Sequence, residues 1–263
     1  MRKVESALRM TFDSNRVRTG TEATLDLPPP FRAIALREVG DAFAHANSVA
    51  ASEGAGTLVH VGRFDIAEFA VVLEPDEPLR TARRMIYAGM AALADTLAAF
   101  APPEKPIAIH WPDAIVVDGA LVGGGRLGWP PSGDDDAPPP WLVFAAVIRI
   151  VAIDEHEPGV RPLATALAEE GFFDLSSSRL IERFTRYLMV MIDAWQRERF
   201  AEVTKSYLAR LPSLKGVGRD FDNNGDLLLR SADGAIERRA LLPNLGVPSW
   251  LDPTRNMAKV IKP

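Results

Sequence analysis

Cysteine is absent from the 263 residues of this chain. Without a thiol the protein can form no disulfide, use no thiolate nucleophile and build no cysteine-based zinc site. The absence also fits a reducing compartment, so we expect a cytoplasmic protein. Histidine is scarce as well, and none of the four histidines is paired with another at the spacing typical of zinc ligands. We therefore predict no metal site built by the polypeptide alone.

Long apolar runs and clusters of positive charge are also missing. The longest apolar stretch, residues 141–153, is interrupted by Arg149 and is shorter than the roughly 18 apolar residues of a membrane span. The N-terminus starts with basic residues but lacks the apolar core of a secretion signal. The formal net charge is −5 and no run of Lys and Arg stands out, so nucleic acid is not an expected partner.

Proline and glycine divide the chain into three parts. Residues 1–27 are polar and aperiodic and are predicted to form an N-terminal arm, which ends where the prolines 28–30 begin. Residues 28–212 contain the strongest apolar periodicity and are predicted to form the main domain. After Pro212 short alternating stretches surround an Asp-Gly step at 233–234, which is a strong hairpin signal. Residues 213–263 are therefore predicted to form a small β-module.

The apolar pattern predicts both helices and strands in the main domain. Residues 78–100 carry apolar side chains at helical spacing, with Pro78 suited to the first turn. A second helix is expected between Asp41, as its N-cap, and Gly54, as its end. Further helices are predicted at 161–170, from 176–178 to 195 and at 200–211, and strands at 31–37, 57–61, 69–73, 107–109, 115–117 and 141–153.

Two segments match a known motif in part but lack a feature that the motif requires. Residues 123–128 satisfy the pattern GxGxxG, but the following Trp-Pro-Pro forbids the helix that a dinucleotide-binding turn must open. Residues 222–226 imitate the start of a calcium loop, but Leu227 stands where the loop needs glycine. A turn before a strand explains the second segment better.

The segment 110–124 reads HWPDAIVVDGALVGG, and it resembles the signature of the biotin/lipoate protein ligase family. In that family a Lys-Trp-Pro-Asn-Asp segment leads into a strand, a tight turn, a lysine and a glycine-containing return strand. The order of the flanking elements is also similar over roughly residues 30–245. The resemblance implies an α+β fold, with a mixed sheet, packed helices and a small SH3-like C-terminal β-module.

The resemblance also implies a chemistry. The family activates a carboxylic acid with ATP and Mg²⁺ to give an acyl-adenylate, and then passes the acyl group to a lysine of a carrier domain. Biotin, lipoate and octanoate are the acids expected for this chain. The ligand-binding residues expected from the resemblance and from their positions are His60, Arg63, His110, Trp111, Pro112, Asp113, Gly123, Gly124 and Gly125.

Seven of these residues have a structural alternative. Trp111 either packs on the ligand or belongs to the core, and Asp113 either orients a ligand or Mg²⁺, or caps a turn. The three glycines either admit the ligand or form a β-bulge. Arg63 either contacts phosphate or is a surface charge, and His60 either faces the ligand or is a core histidine.

The sequence departs from the family at its cationic positions. Ala120 stands at the position matched to the family's lysine, and His110 replaces the lysine before Trp-Pro. The long Arg- and Gly-rich loop of the family is reduced to Gly62-Arg63. Because adenylation brings two anions together, loss of fixed positive charge puts that step in question. Two functions remain open: a protein that binds an acyl group or acyl-adenylate and transfers it to a carrier lysine, and a non-catalytic binding or regulatory protein that keeps the fold.

Overall fold

The computed structural model describes residues 25–153, 163–198, 200–252, 254 and 257–259. Asp41 accepts a hydrogen bond from the Ala44 N–H and Gly54 ends the first helix with a φ of +74°, as the sequence predicts. In this part of the chain, no helix is both long and apolar enough to cross a membrane. The helices are α1 (Ala42–Glu53), α2 (Leu79–Ala82), α3 (Met85–Ala98), α4 (Ser177–Glu198), α5 (Ala201–Leu208) and α6 (Leu241–Leu245).

A seven-stranded mixed sheet organises the main domain. Its strand order is β1-β2-β3-β7-β6-β5-β4, with β1 parallel to β2 and the other neighbours antiparallel. The predicted α+β class is therefore confirmed. The strands of this sheet are β1 (Arg32–Leu36), β2 (Thr57–Val61), β3 (Ile66–Leu73), β4 (Ile107–His110), β5 (Ala114–Val117), β6 (Ala120–Gly128) and β7 (Leu142–Arg149).

One face of the sheet, here called the helical face, is covered by α3, α4 and α5. On this face Phe144 of β7 stacks on Phe184 of α4, with ring centroids 5.6 Å apart, and Phe69 of β3 packs on the same ring. Alternate residues of each strand point to this side because side chains alternate across a pleated strand. The resulting cluster is the main hydrophobic core.

The opposite face, here called the strap face, is covered by two separate elements. Small residues of α1 (Ala42, Ala46 and Ala50) pack on β2, β3 and β7. The other half of the face is covered by the C-terminal strap, defined as residues 249–259, of which 253, 255 and 256 lie outside the described residues. The strap contains the short antiparallel strands β11 (Leu251–Asp252) and β12 (Met257–Ala258).

The C-terminal region therefore divides differently from the predicted module at 213–263. A small antiparallel sheet, of order β10-β9-β8, covers only β8 (Val217–Phe221), β9 (Leu227–Ser231) and β10 (Ile236–Arg239). The predicted Asp-Gly turn joins β9 to β10, and Gly234 adopts a φ of +88°. After β10 the chain passes through α6, and the strap that follows packs on the main sheet.

Three further differences from the sequence-based prediction concern single segments. The predicted arm lies largely outside the described residues, but Leu25 and Leu27 pack against the core. The predicted helix at 78–100 is broken after α2. The predicted helix at 161–170 is wrong for its described residues, 163–170, which form turns and a bridge between Ala164 and Leu121.

Candidate functional site

The Trp-Pro turn and the glycine-rich strand are brought together, as the sequence predicts. The Gly125 N–H donates to the Asp113 carbonyl at 2.8 Å, and Ala114 pairs with Gly124. Asp118 and Gly119, both with positive φ, make the two-residue turn between β5 and β6. These contacts place the two signature segments side by side in one sheet.

Glycine is required at two positions of this strand. A Cβ at Gly123 would lie 2.0 Å from the Val147 carbonyl oxygen, and the φ of Gly123 is +151°. A Cβ at Gly124 would lie 2.1 Å from the Asp113 carbonyl oxygen and 2.4 Å from Cδ1 of Trp250. The missing side chains of these two glycines therefore leave room for neighbouring backbone atoms and for the Trp250 ring.

Trp250 of the strap occupies the space above the glycine-rich strand. Its indole N–H donates to the Gly125 carbonyl at 2.8 Å, and the residue is 1% exposed. Around it lies a small apolar cluster on the strap face, made of Ile66, Ala114, Val116, Leu121, Val147, Leu251 and Ala258. The region between the Trp-Pro turn and the glycines is thus filled by the strap.

Asp113 is buried beneath the start of the strap. Its carboxylate accepts hydrogen bonds from the Ser249 hydroxyl at 2.6 Å and from the Ser249 N–H at 3.2 Å. Burial raises the pKa of Asp113 to about 6, although the hydrogen bonds from Ser249 oppose this shift. The carboxylate thus anchors the strap.

Arg149, at the end of β7, is a buried cation under the strap. One of its guanidinium nitrogens, Nη2, donates to the Ala258 carbonyl at 2.8 Å, and Nη1 is 3.5 Å from the Thr165 carbonyl oxygen. The Thr165 N–H in turn donates to the Leu121 carbonyl. The guanidinium therefore lies close to the start of β6, where the family carries its lysine.

A second buried polar group joins the strap face to the N-terminus of α1. The Glu68 carboxylate accepts a hydrogen bond from the Ala42 N–H at 2.9 Å, and Arg126 lies 3.3 Å from Asp41. Burial raises the pKa of Glu68 and lowers that of Arg126. Both charged groups are embedded between the sheet and the helix, and Arg126 also stacks over Phe43 at 4.1 Å.

Arg63, the predicted phosphate contact, is bound by a carboxylate of its own loop. Both oxygens of Asp65 accept from the Arg63 guanidinium, and Asp65 is 3% exposed. The hydrogen bond to Asp65 raises the pKa of Arg63. Burial acts to raise the pKa of Asp65, but the contact with Arg63 leaves that pKa below its usual value. The cation is therefore neutralised within its own loop.

Several predicted ligand-binding residues turn away from the strap face. Trp111 donates its indole N–H to the Tyr87 hydroxyl, and the Pro112 carbonyl accepts from the Tyr207 hydroxyl, so both lie towards α3 and α5. A Cβ at Gly125 would meet Met90 and Phe144 of the helical core. Trp111 and Pro112 therefore contact the helical side, whereas the Gly125 carbonyl also accepts from Trp250 of the strap.

The two predicted histidines also lie apart from the strap. His60 pairs with Phe69, whose side chain belongs to the helical-face core, so His60 points to that side. His110 is exposed at the end of β4. Of the nine predicted residues, Asp113, Gly124 and Gly125 contact the strap in the structure.

Ala120, the residue matched to the family's lysine, does not face the strap. Ala120 pairs with Val117, which lies in the helical-face core, so Ala120 points to that side. Its neighbour Leu121 lies in the apolar cluster around Trp250. Because successive strand residues alternate in direction, a lysine aimed at the strap face would stand at position 121. Neither position supplies a positive charge.

The residues predicted to hold ATP with Mg²⁺, the cofactor that the resemblance implies, are already engaged by other groups of the chain. Arg63, the candidate for the phosphates, is held by Asp65. Leu121 offers no charge, and Asp113, the candidate metal ligand, has both oxygens occupied by donors from Ser249. A polyphosphate would meet no fixed cation at either predicted position.

Sequence reasoning missed Arg149, Trp250 and Glu68. Arg149 and Glu68 each interrupt an apolar strand with a charge, and such a charge in a buried strand is a signal of function that could have been used. Trp250 gives no such signal, because its contact with Gly125 spans 125 residues of sequence.

The two-layer arrangement of this mixed sheet, with the Trp-Pro turn beside a glycine-rich return strand, defines a protein of the biotin ligase fold. The family model described as "Biotin/lipoate A/B protein ligase family" matches residues 27–209. The chain therefore belongs to the biotin/lipoate A/B protein ligase family. A comparison with curated proteins gave no significant match.

Solved structures agree with this assignment. A biotin protein ligase-like protein of unknown function from Silicibacter sp. TM1040 is 25% identical, with a TM-score of 0.72 over 85% of this chain and 100% of that chain. The biotin protein ligase of Aquifex aeolicus, as an R40G mutant in complex with biotin, is 14% identical, with a TM-score of 0.62 over 81% of this chain and 96% of that chain. The same enzyme in complex with biotin and ATP is 14% identical, with a TM-score of 0.60 over 80% of this chain and 95% of that chain. The Aquifex structures share the fold with this chain.

Proposed function

We propose that this family member binds a small carboxylic acid, or its adenylate, on the strap face and does not activate the acid with ATP. The acids expected are biotin, lipoate and octanoate. The family match and the complex of the Aquifex ligase with biotin support an acid as the ligand. The proposal corresponds to a binding or regulatory role that retains the fold.

The second half of the proposal, the absence of activation by ATP, is supported by the state of the cations other than Arg149. Arg63 is neutralised by Asp65, and Arg126 lies beside Asp41 and Glu68. Neither Ala120, which is matched to the family's lysine, nor its strap-face neighbour Leu121 carries a charge. Adenylation needs positive charge aimed at the developing phosphate charge, and removing one such group costs on the order of a hundredfold or more in rate.

Isothermal titration of the full chain with biotin, lipoate and octanoate tests the proposal, with and without ATP and Mg²⁺. We expect saturable heat with at least one acid in the absence of ATP. Pyrophosphate measured in the same samples should stay at the level of a control without acid.

Two results would contradict this proposal in different ways. Acid-dependent release of pyrophosphate would show adenylation, and acyl transfer to a carrier-domain lysine would then become the better account. Absence of binding by all three acids, with a native circular dichroism spectrum, would remove the acid as the ligand.

A further inference from the structure

We propose that a cavity between α2 and α6 binds a phosphate dianion, either free or carried by a small organic group, and that Arg80 and Arg83 hold it. The cavity measures about 480 Å³, which is within the range typical of small-molecule sites. Its lining comes from α2, from the loop that joins β6 to β7 and from the start of α6. The described lining residues are separate from the cluster around Trp250, so this inference is independent of the acid proposed above.

Two arginines form a cationic wall of this cavity. Arg80 and Arg83 are one helical turn apart, so their side chains leave the same face of the backbone. Arg83 is 8% exposed, and its guanidinium lies over the Trp129 ring, 4.8 Å from the centroid. Its Nε is buried and has no hydrogen-bond partner among the described residues. The cation is therefore held in place by the tryptophan while part of its hydrogen-bonding capacity is unused.

Two carboxylates of the β6–β7 loop contact this wall. Asp135 lies 2.7 Å from Arg83, and Asp136 pairs with Arg80. The two aspartate side chains are 53% and 74% exposed, and ion pairs as exposed as these contribute little because water screens them. A phosphate carries a charge close to that of both carboxylates together and has three strong acceptor oxygens. It can therefore replace both aspartates on the two guanidinium groups.

Arg63 differs because its carboxylate partner cannot leave. Asp65 is 3% exposed, and its backbone carbonyl accepts two hydrogen bonds from the chain that follows β7. The side chains of Asp135 and Asp136 can instead turn into water, while the hydrogen bond from the Arg80 N–H to the Asp135 carbonyl keeps the loop backbone in place. Binding of a phosphate thus requires the rotation of exposed side chains and no movement of the loop.

The rest of the cavity is suited to an organic group. Asp226 lines it, but this carboxylate is already engaged by Arg238 at 2.7 Å and by the Leu241 N–H at 2.8 Å. Leu241 and Leu242 provide an apolar wall, and Leu242 is 47% exposed. A cavity of this size leaves room beside the phosphate for a substituent that packs on the leucines.

Isothermal titration of the full chain with inorganic phosphate and with phenyl phosphate tests the site. Saturable binding of either probe supports the proposal. Tighter binding of phenyl phosphate would identify a phosphate monoester as the ligand, and equal binding of the two probes would identify free phosphate. Absence of binding by both probes, with a native circular dichroism spectrum, would overturn the proposal.

Two arginine variants test the cationic wall. Arg80→Gln should weaken binding of the tighter probe by about tenfold, because a charge-assisted hydrogen bond is lost. The side chain of Arg80 is 46% exposed, so the substitution is expected to leave the fold intact. Arg197→Gln removes the same charge from an exposed ion pair with Asp193 on α4 and should bind like wild type. Equal effects of the two substitutions would overturn the role of Arg80.

Two aspartate variants test whether the loop carboxylates compete with phosphate. Asp135→Asn should tighten binding by about threefold, because the carboxylate on Arg83 is removed. Asp134→Asn is the control, since it removes the same charge from the same loop at a side chain whose carboxylate accepts from the Asp136 N–H. If Asp135→Asn binds phosphate no more tightly than Asp134→Asn, the loop does not occupy the phosphate position.

Discussion

The two faces of the seven-stranded sheet differ in what they bury. The helical face is packed with apolar side chains such as Phe69 and Phe144, and helices cover it. The strap face buries Glu68, Asp113 and Arg149 at 4%, 1% and 8% exposure. Buried charges destabilise a fold unless they are paired or hydrogen-bonded, and they concentrate at functional sites. The difference supports our proposal that the strap face, and not the helical face, binds the ligand.

The largest expected effect is on the helical face. Phe144→Ala should lower the free energy of unfolding by about 3–5 kcal/mol, because it leaves a cavity beneath Phe184 and Gly89. Urea denaturation measures the change. Phe173→Ala, at a residue 87% exposed, should change stability by less than about 0.5 kcal/mol. Similar losses in the two variants would contradict the assignment of the core.

On the strap face we expect a pH-dependent stability that the helical face does not share. The pKa of Asp113 is raised from 3.8 to about 6, so the folded state holds the proton more tightly than the unfolded state. Raising the pH from about 4 to about 6 should therefore destabilise wild type relative to Asp113→Asn, by about 2 kcal/mol. Thermal melts of both proteins across this range measure the difference. Parallel stability curves would show that Asp113 titrates normally.

The contact between Gly124 and the strap should be sensitive to one methyl group. Gly124→Ala places a Cβ 2.1 Å from a carbonyl oxygen and 2.4 Å from Trp250, so we expect a loss of about 1–3 kcal/mol. Gly218→Ala is the control, because its Cβ would lie 3.7 Å from the nearest atom. Chemical denaturation of both variants tests the prediction. If Gly124→Ala is as stable as Gly218→Ala, the strap is not packed on this strand.

The smallest effect is expected where α1 meets the strap face. Asp41→Ala removes the N-cap hydrogen bond to the Ala44 N–H and should cost about 1 kcal/mol of unfolding free energy. Asp41→Ser keeps a capping oxygen and should restore most of this loss. A loss that serine does not restore would assign the stabilisation to the contact with Arg126 instead.

The sequence is informative about local features of this fold. Asp41 and Gly54 bound α1 as predicted, and the Asp-Gly turn joins two strands of the small sheet. These features depend on the backbone preferences of neighbouring residues, which a single sequence displays. The order of segments also sufficed to identify the family.

The direction in which the side chains of the signature segment 110–124 point was harder to predict. Trp111 is equally apolar whether it contacts a ligand or Tyr87, and only the packing of α3 decides between them. The direction of the Ala120 side chain was hard to predict for a similar reason, because it depends on the register of the turn. Contacts of the strap with Asp113 and Gly125 span more than a hundred residues of sequence, so no local pattern predicts them.

Hydrogen exchange of the full chain, with and without a saturating acid, tests most directly whether the strap face is the binding face. Our account predicts that the acid changes exchange at residues 249–259 and at β5 and β6, while β8, β9 and β10 exchange as before. Changes confined to the small C-terminal sheet, with the strap and the glycine-rich strand unaffected by a bound acid, would contradict it.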